Sequence, residues 1–109
     1  MKISCLQENL SEGLSTVTRV VSTTGSLPVL SNVLLETEDG RLKLQATDLE
    51  TGVTTWVGAK VEEEGSITVP AKVFSRLISD LSPGEIKLET KKQTLHLEAE
   101  GVTSEFNGL

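Results

Sequence analysis

Few residues in this chain have the type and spacing that chemistry needs. The only candidate thiol nucleophile is Cys5, the single cysteine, and the only imidazole base is His96, the single histidine. No histidine stands near Cys5 to activate it, so it reads as a small buried hydrophobe. His96 falls on the outward side of an alternating run, with Glu98 and Glu100, and reads as a solvated surface histidine. Glu62-Glu63-Glu64 gathers three carboxylates, but adjacent side chains in a turn diverge and no fourth ligand is apparent, so no metal is expected. The chain has no tyrosine and no glycine-rich phosphate loop. No acid, base and nucleophile can be grouped by motif, so neither an enzyme nor a cofactor is expected. The remaining chemistry is ionic binding. Lys72 and Arg76, four apart, project from one side of a helix. Arg19 sits beside a strip of hydroxyls, Ser11, Ser15, Thr18 and Ser22.

The elements that must position these residues are legible from periodicity. The stretch from Ser26 to Glu50 organises the chain. Leu42, Leu44 and Ala46 alternate with Arg41, Lys43, Gln45 and Thr47, which puts the apolar set on one face of a strand. Glu38-Asp39-Gly40 supplies the hairpin turn, and Pro28 marks the approach to the first strand. Before it, KISCL forms a short strand with Ile3 and Cys5 on one side. Asn9 with Glu12 has the spacing of a capping box, and Leu10, Leu14, Val17 and Val21 make a helical core stripe. Ser22–Ser26 is either a solvated connection or a loop that offers hydroxyls and amides to a ligand.

Thr51 to Val61 reads as one strand with Trp56 half covered on its polar face. Ser66–Val69 is a short strand, and Pro70 suits the first turn of the next helix. Phe74, Leu77, Ile78 and Leu81 are that helix's apolar stripe, opposite Lys72, Ser75, Arg76 and Ser79, and Ser82-Pro83-Gly84 stops it. Strands at Glu85–Thr90, Thr94–Glu100 and Val102–Phe106 complete the chain.

The order strand, helix, three strands therefore occurs twice. The helix at 10–21 answers that at 71–81, and GRLKLQA answers QTLHLEA. The expected fold is α+β: two pseudo-repeated βαβββ units, about 1–61 and 65–109, in one domain. Antiparallel sheets would lie on one side and the two helices together on the other.

The net charge is −6, from 16 acids against 10 Lys and Arg, so the chain as a whole repels polyanions. The helix faces, however, expose Arg19, Lys72 and Arg76 among hydroxyls, with Glu12 and Asp80 the only nearby acids. Such a face suits weak contact with a phosphate backbone. One cysteine and no run of roughly 18–20 apolar residues fit a soluble cytoplasmic domain with no membrane partner.

Three stretches carry a resemblance: LPVLSNVLLE (27–36), LKLQATDLE (42–50) and GSITVPAKVF (65–74). With them the whole chain, Met1 to Leu109, resembles the N-terminal domain of bacterial DNA polymerase III β subunits, the sliding clamps. The resemblance implies a DNA-clamp fold and a non-catalytic processivity factor. Three such domains make a subunit, and two subunits close head to tail into a ring around duplex DNA, helices inward. It implies DNA contacts at Ser22, Thr23 and Thr24 and at Lys72; clamps often carry arginine where Thr24 stands. Arg19, Arg76 and Ser79 join them from the helix-face reading. It implies a subunit interface at Val73, Leu81, Thr103, Glu105 and Phe106, where Thr103 and Glu105 replace residues that are often basic. A second clamp subunit, the polymerase and the clamp loader are the implied partners, the pocket for the last two lying in later domains. The alternative is a non-catalytic interaction module that binds proteins along the edge strand 102–107.

Overall fold

The computed structural model describes residues 1–20, 32–47 and 51–108, with only the backbone of Val20. Its elements are β1 (Lys2–Leu6), α1 (Gln7–Val17), a 3₁₀ turn (Thr18–Val20), β2 (Asn32–Glu38), β3 (Arg41–Thr47), β4 (Gly52–Gly58), β5 (Lys60–Glu63), β6 (Ser66–Pro70), α2 (Ala71–Asp80), β7 (Glu85–Lys91), β8 (Thr94–Ala99) and β9 (Val102–Asn107). Val21, Pro28, the loop Ser22–Ser26 and residues 48–50 lie outside the described residues.

The repeated unit is real, and the two copies are interlocked. One antiparallel sheet has the order β5-β1-β7-β8-β9 and the other β4-β3-β2-β6. The first strand of each half thus pairs with the second strand of the other. Ile3 on β1 lies opposite Leu88 on β7, and Val69 on β6 lies opposite Val33 on β2. Along β1–α1 and β6–α2 the two copies stay in constant register, so Leu10 matches Phe74 and Leu14 matches Ile78. Those four side chains are fully buried, with Leu35, Leu42 and Leu44 from one sheet and Leu88, Leu95 and Leu97 from the other. Period-two alternation decides which strand residues enter this core. The hairpin at Asp39-Gly40 has φ of 50° and 76°, the left-handed pair that matches strand twist.

The helices run antiparallel. Gln7 Nε2 donates to the carbonyl of Ile78 at 2.8 Å, and the Gln7 N–H donates to the carbonyl of Gly84 at 2.8 Å. The start of α1 is therefore tied to the end of α2, and one of α2's last carbonyls is satisfied from outside the helix.

This tie explains why the expected cap fails. The helix begins at Gln7, not after Asn9; Leu6 occupies the cap position in extended geometry and makes no side-chain capping bond. Strand β1 runs straight into α1, and Gly84 accepts one of the N–H groups that the helix start leaves open. Asn9 is simply exposed in the first turn. The helix also ends at Val17 before the 3₁₀ turn.

Other boundaries shift for tertiary reasons. The single strand expected at 51–61 is two, broken at Ala59, because β4 edges one sheet while β5 crosses to pair with β1 in the other. The acidic turn is shorter than expected: Glu62 and Glu63 belong to β5, and Glu62 lies 3.6 Å from Lys2. Pro70 precedes the helix instead of joining its first turn, and still lies opposite Asn32. Leu81 lies just beyond the end of α2 in extended geometry.

The helices seat differently on their sheets. A Cβ built on Gly13 would fall 2.8 Å from Leu44 Cδ1 and 2.8 Å from Val57 Cγ2. The missing side chain lets α1 press onto β3 and β4. At the matching place α2 carries Leu77, and the space beneath is filled by Phe74 packed edge-on to Phe106, centroids 5.2 Å apart at 89°. Gly13→Ala should therefore destabilise the fold despite its better helix propensity. Overpacking against two buried neighbours outweighs the propensity gain, for a net loss of about 1–2 kcal/mol, read as a lowered urea midpoint at unchanged slope.

Candidate nucleic-acid interface

With Ala71, Phe74 and Ile78 turned inward, helical geometry turns Lys72, Arg76 and Ser79 outward, and all three are exposed. Neither Lys72 nor Arg76 forms an ion pair with a described residue; the lysines that do are Lys2 and Lys43. The Ser79 hydroxyl donates to the carbonyl of Arg76 at 3.1 Å, so it is engaged along its own helix. Arg19 is exposed in the 3₁₀ turn, which packs against α2. Because the helices are antiparallel, this turn lies toward the start of α2, and Arg19 and Lys72 share one end of the helix layer. Ser22, Thr23 and Thr24 lie outside the described residues.

The face is less cationic than the sequence reading held. Besides the expected Glu12 and Asp80 it holds Glu8, exposed in the first turn of α1. In the constant register of the two halves, Glu8 and Glu12 occupy the positions of Lys72 and Arg76. Glu8 and Asp80 hold one end of the layer, Lys72 and Arg19 the other, with Glu12 and Arg76 midway. Aligning the two copies residue by residue would have revealed this inversion.

The charges on α2 oppose its own dipole. Its first turn contains no acid and its last turn no base. Lys72 instead sits near the positive end and Asp80 near the negative end, each unfavourable by about 0.3–1 kcal/mol at low salt. Lys72 is therefore not placed there to stabilise the helix.

The proposed interface residues gather at the other flank of α2 and on β9, the outermost strand of the five-stranded sheet. Val73 is 60% exposed, Leu81 half-buried and Thr103 exposed. Glu105 approaches His96 Nδ1 at 3.3 Å through Oε1, so His96 is engaged across β8 and β9 and is not a freely solvated histidine. Phe106, only 8% exposed, is spent inside the domain against Phe74.

The outer sheet faces hold cations of another kind. Lys43 Nζ lies 2.7 Å from Glu36 Oε1 and 2.9 Å from Glu38 Oε2. Glu36 first, then Glu38, hold the Lys43 ammonium above its ordinary pKa, and Lys43 holds the Glu38 carboxyl below its own. Trp56, 44% exposed, donates through Nε1 to Glu38 Oε1 at 3.4 Å, and the Arg41 guanidinium lies 5.3 Å from its ring centroid. Among the described residues no cluster of three or more His, Cys, Asp or Glu could hold a metal. No described helix is long and apolar enough to cross a membrane.

The comparisons with known proteins agree with this scaffold. Residues 1–108 match the family model for the DNA polymerase III beta subunit, N-terminal domain. The chain belongs to that family. Over 90 residues it is 44% identical to the beta sliding clamp of Synechocystis sp., which covers 81% of this chain and 23% of the relative. The beta sliding clamp of Caulobacter vibrioides is 31% identical over 108 residues, covering 98% of this chain and 29% of its own. The solved DNA polymerase III subunit beta of Pseudomonas aeruginosa superposes with a TM-score of 0.94 at 33% identity, over 100% of this chain and 30% of that one. The chain thus spans about a quarter of the length of the curated relatives it matches.

Two outcomes follow for this beta-subunit domain. Lys72→Glu should raise stability by about 0.3–1 kcal/mol at low salt, an increment that high salt removes, read by urea denaturation at two ionic strengths. Cys5 is buried, and burial first, then the Glu85 carboxylate, push its thiol up to about 12. A thiol-specific disulfide reagent at mildly alkaline pH should therefore modify it only at the rate of unfolding, and at once in denaturant.

Proposed function

We propose that this chain acts as the first domain of a DNA sliding clamp, a processivity factor without catalytic chemistry of its own. The observation that carries the reading is the set Arg19, Lys72 and Arg76: exposed cations on the helix layer that no described carboxylate neutralises. That layer belongs to a scaffold shared with beta clamps along the whole chain. Phosphate contacts from such residues carry no sequence information and are screened by salt. Glu8, Glu12 and Asp80 on the same layer keep the attraction small. Weak contact suits a protein that slides and is retained by enclosure. Duplex DNA is the direct ligand in this reading. A second subunit would close the ring at Val73, Leu81 and β9, and the polymerase and clamp loader would act on the assembled clamp. The Helicobacter pylori beta clamp is known bound to a DNA ligase peptide, so peptides of DNA enzymes are a partner class to expect of the complete protein. The alternative, an interaction module acting through 102–107, has only the outer position of β9 in its favour.

Fluorescence anisotropy with labelled duplex tests the DNA contact. The chain should bind no more tightly than roughly 10⁻⁴–10⁻⁶ M, with affinity falling steeply as salt rises and indifferent to sequence. The double variant Lys72→Glu, Arg76→Glu should lose binding. A double variant that binds like the wild type would remove the helix face from the function.

A further inference from the structure

Strand β9 ends at Asn107, and Gly108 follows it. Asparagine is thermolabile, and most so before glycine, where no side chain shields the following nitrogen. That nitrogen can attack the asparagine Cγ and close a five-membered ring. The Cγ–N bond of the side-chain amide breaks, and ammonia leaves with the proton that the attacking nitrogen gives up. Water then opens the succinimide at either carbonyl. The product is aspartate, or isoaspartate with the main chain rerouted through the side chain. The other asparagines, Asn9 and Asn32, precede Leu10 and Val33, whose bulk hinders closure. Asp39-Gly40 has the same spacing but can only isomerise, which changes neither mass nor charge.

Packing explains why glycine stands at 108. A Cβ built there would fall 2.8 Å from Ile67 Cγ1 and 3.0 Å from the carbonyl oxygen of Thr68, so a side chain would collide with β6. The same setting holds the reaction shut. The Gly108 N–H donates to the carbonyl of Gln93 at 2.6 Å, which keeps the attacking nitrogen protonated and occupied. Asn107 lies opposite Thr94 in the ladder, and the extended backbone of a strand holds Cγ away from the next nitrogen. Both residues must come free before the ring can form.

We propose that Asn107-Gly108 is a self-modification site that the fold keeps latched. It converts only when the end of β9 has come away from Gln93 and Ile67. Water is the only other reactant, so no enzyme has to reach the site. Ammonia is lost, so the amide is not re-formed. Either product adds a carboxylate at the end of the outermost strand. Isoaspartate also lengthens the main chain by one atom and puts Gly108 out of step with Gln93, so the strand end cannot latch again. The site thus records the opening of β9.

Peptide mapping by mass spectrometry tests this on the chain at mildly alkaline pH, folded in buffer and unfolded in guanidinium chloride. Asn107 should deamidate more slowly in the folded chain by about tenfold or more, and hydrogen exchange at the Gly108 amide should be slowed as well. Phe106→Ala, judged folded by circular dichroism, removes the ring that anchors β9 to Phe74 and should speed conversion in the folded chain by about tenfold. Gly13→Ala, which loosens the four-stranded sheet instead, should leave the rate unchanged. If Phe106→Ala does not fold, the wild-type comparison and the exchange measurement still decide. Equal rates in folded and unfolded wild type would overturn the proposal. So would a Gly108 amide that exchanges freely in the folded chain, or a Gly13→Ala variant that converts as fast as Phe106→Ala.

Discussion

Neither half of this chain can complete its sheet without the other's first strand. β1 inserts beside β7 and β6 inserts beside β2, so both sheets are stitched from both halves. Gln7 adds a second stitch by joining the start of α1 to the carbonyls of Ile78 and Gly84. These pairings join residues far apart in sequence, and their loop-closure entropy is recovered only when both halves are in place. The same exchange lays the two helices antiparallel in one layer. The positions of Arg19, Lys72 and Arg76 relative to one another are thus a consequence of strand pairing, not of any local helix signal.

That distinction sorts what the sequence could reveal. Alternation at Leu42, Leu44, Ala46 and at Leu95, Leu97 read correctly, because a strand's buried face is set by its own period. The apolar stripe at Leu10, Leu14 and Val17 read correctly for the same reason. The cap at Asn9 failed because Gly84, distant in sequence, serves the helix start instead. The break at Ala59 left no local mark, since only the arrangement of two sheets requires the chain to cross there. His96 looked solvated because its partner Glu105 belongs to the next strand, and one strand's alternation does not name cross-strand neighbours. Glu8 carries no local sign of its place on the helix layer; only the constant register of the two halves sets it against Lys72. Val73, Leu81 and Phe106 could be named from family resemblance, but the burial of Phe106 against Phe74 needed coordinates.

The distribution of cations is more informative than their number. On the outer faces, Lys43 is held between two carboxylates, Arg41 stacks on Trp56, and Lys2 lies near Glu62. On the helix layer, Lys72 and Arg76 have no such described partner, and Lys72 opposes the dipole of its own helix. On the five-stranded sheet, however, Lys60, Lys87, Lys91 and Lys92 are also exposed without a described ion partner, so the helix layer differs by opposing its own dipole at Lys72 and not by holding the protein's free cations alone.

Duplication would by itself make the helix layer symmetric, with like charges at matching places. The layer is instead sign-inverted at Glu8 and Lys72 and at Glu12 and Arg76, and shape-inverted at Gly13 and Leu77. A symmetric cationic layer would attract a polyanion more strongly. Inversion weakens that attraction. The departure from internal symmetry therefore lowers the attraction of the helix layer for any polyanion. The backbone can remain repeated because the two sheets need only the apolar residues to match, and the exposed positions are free to diverge.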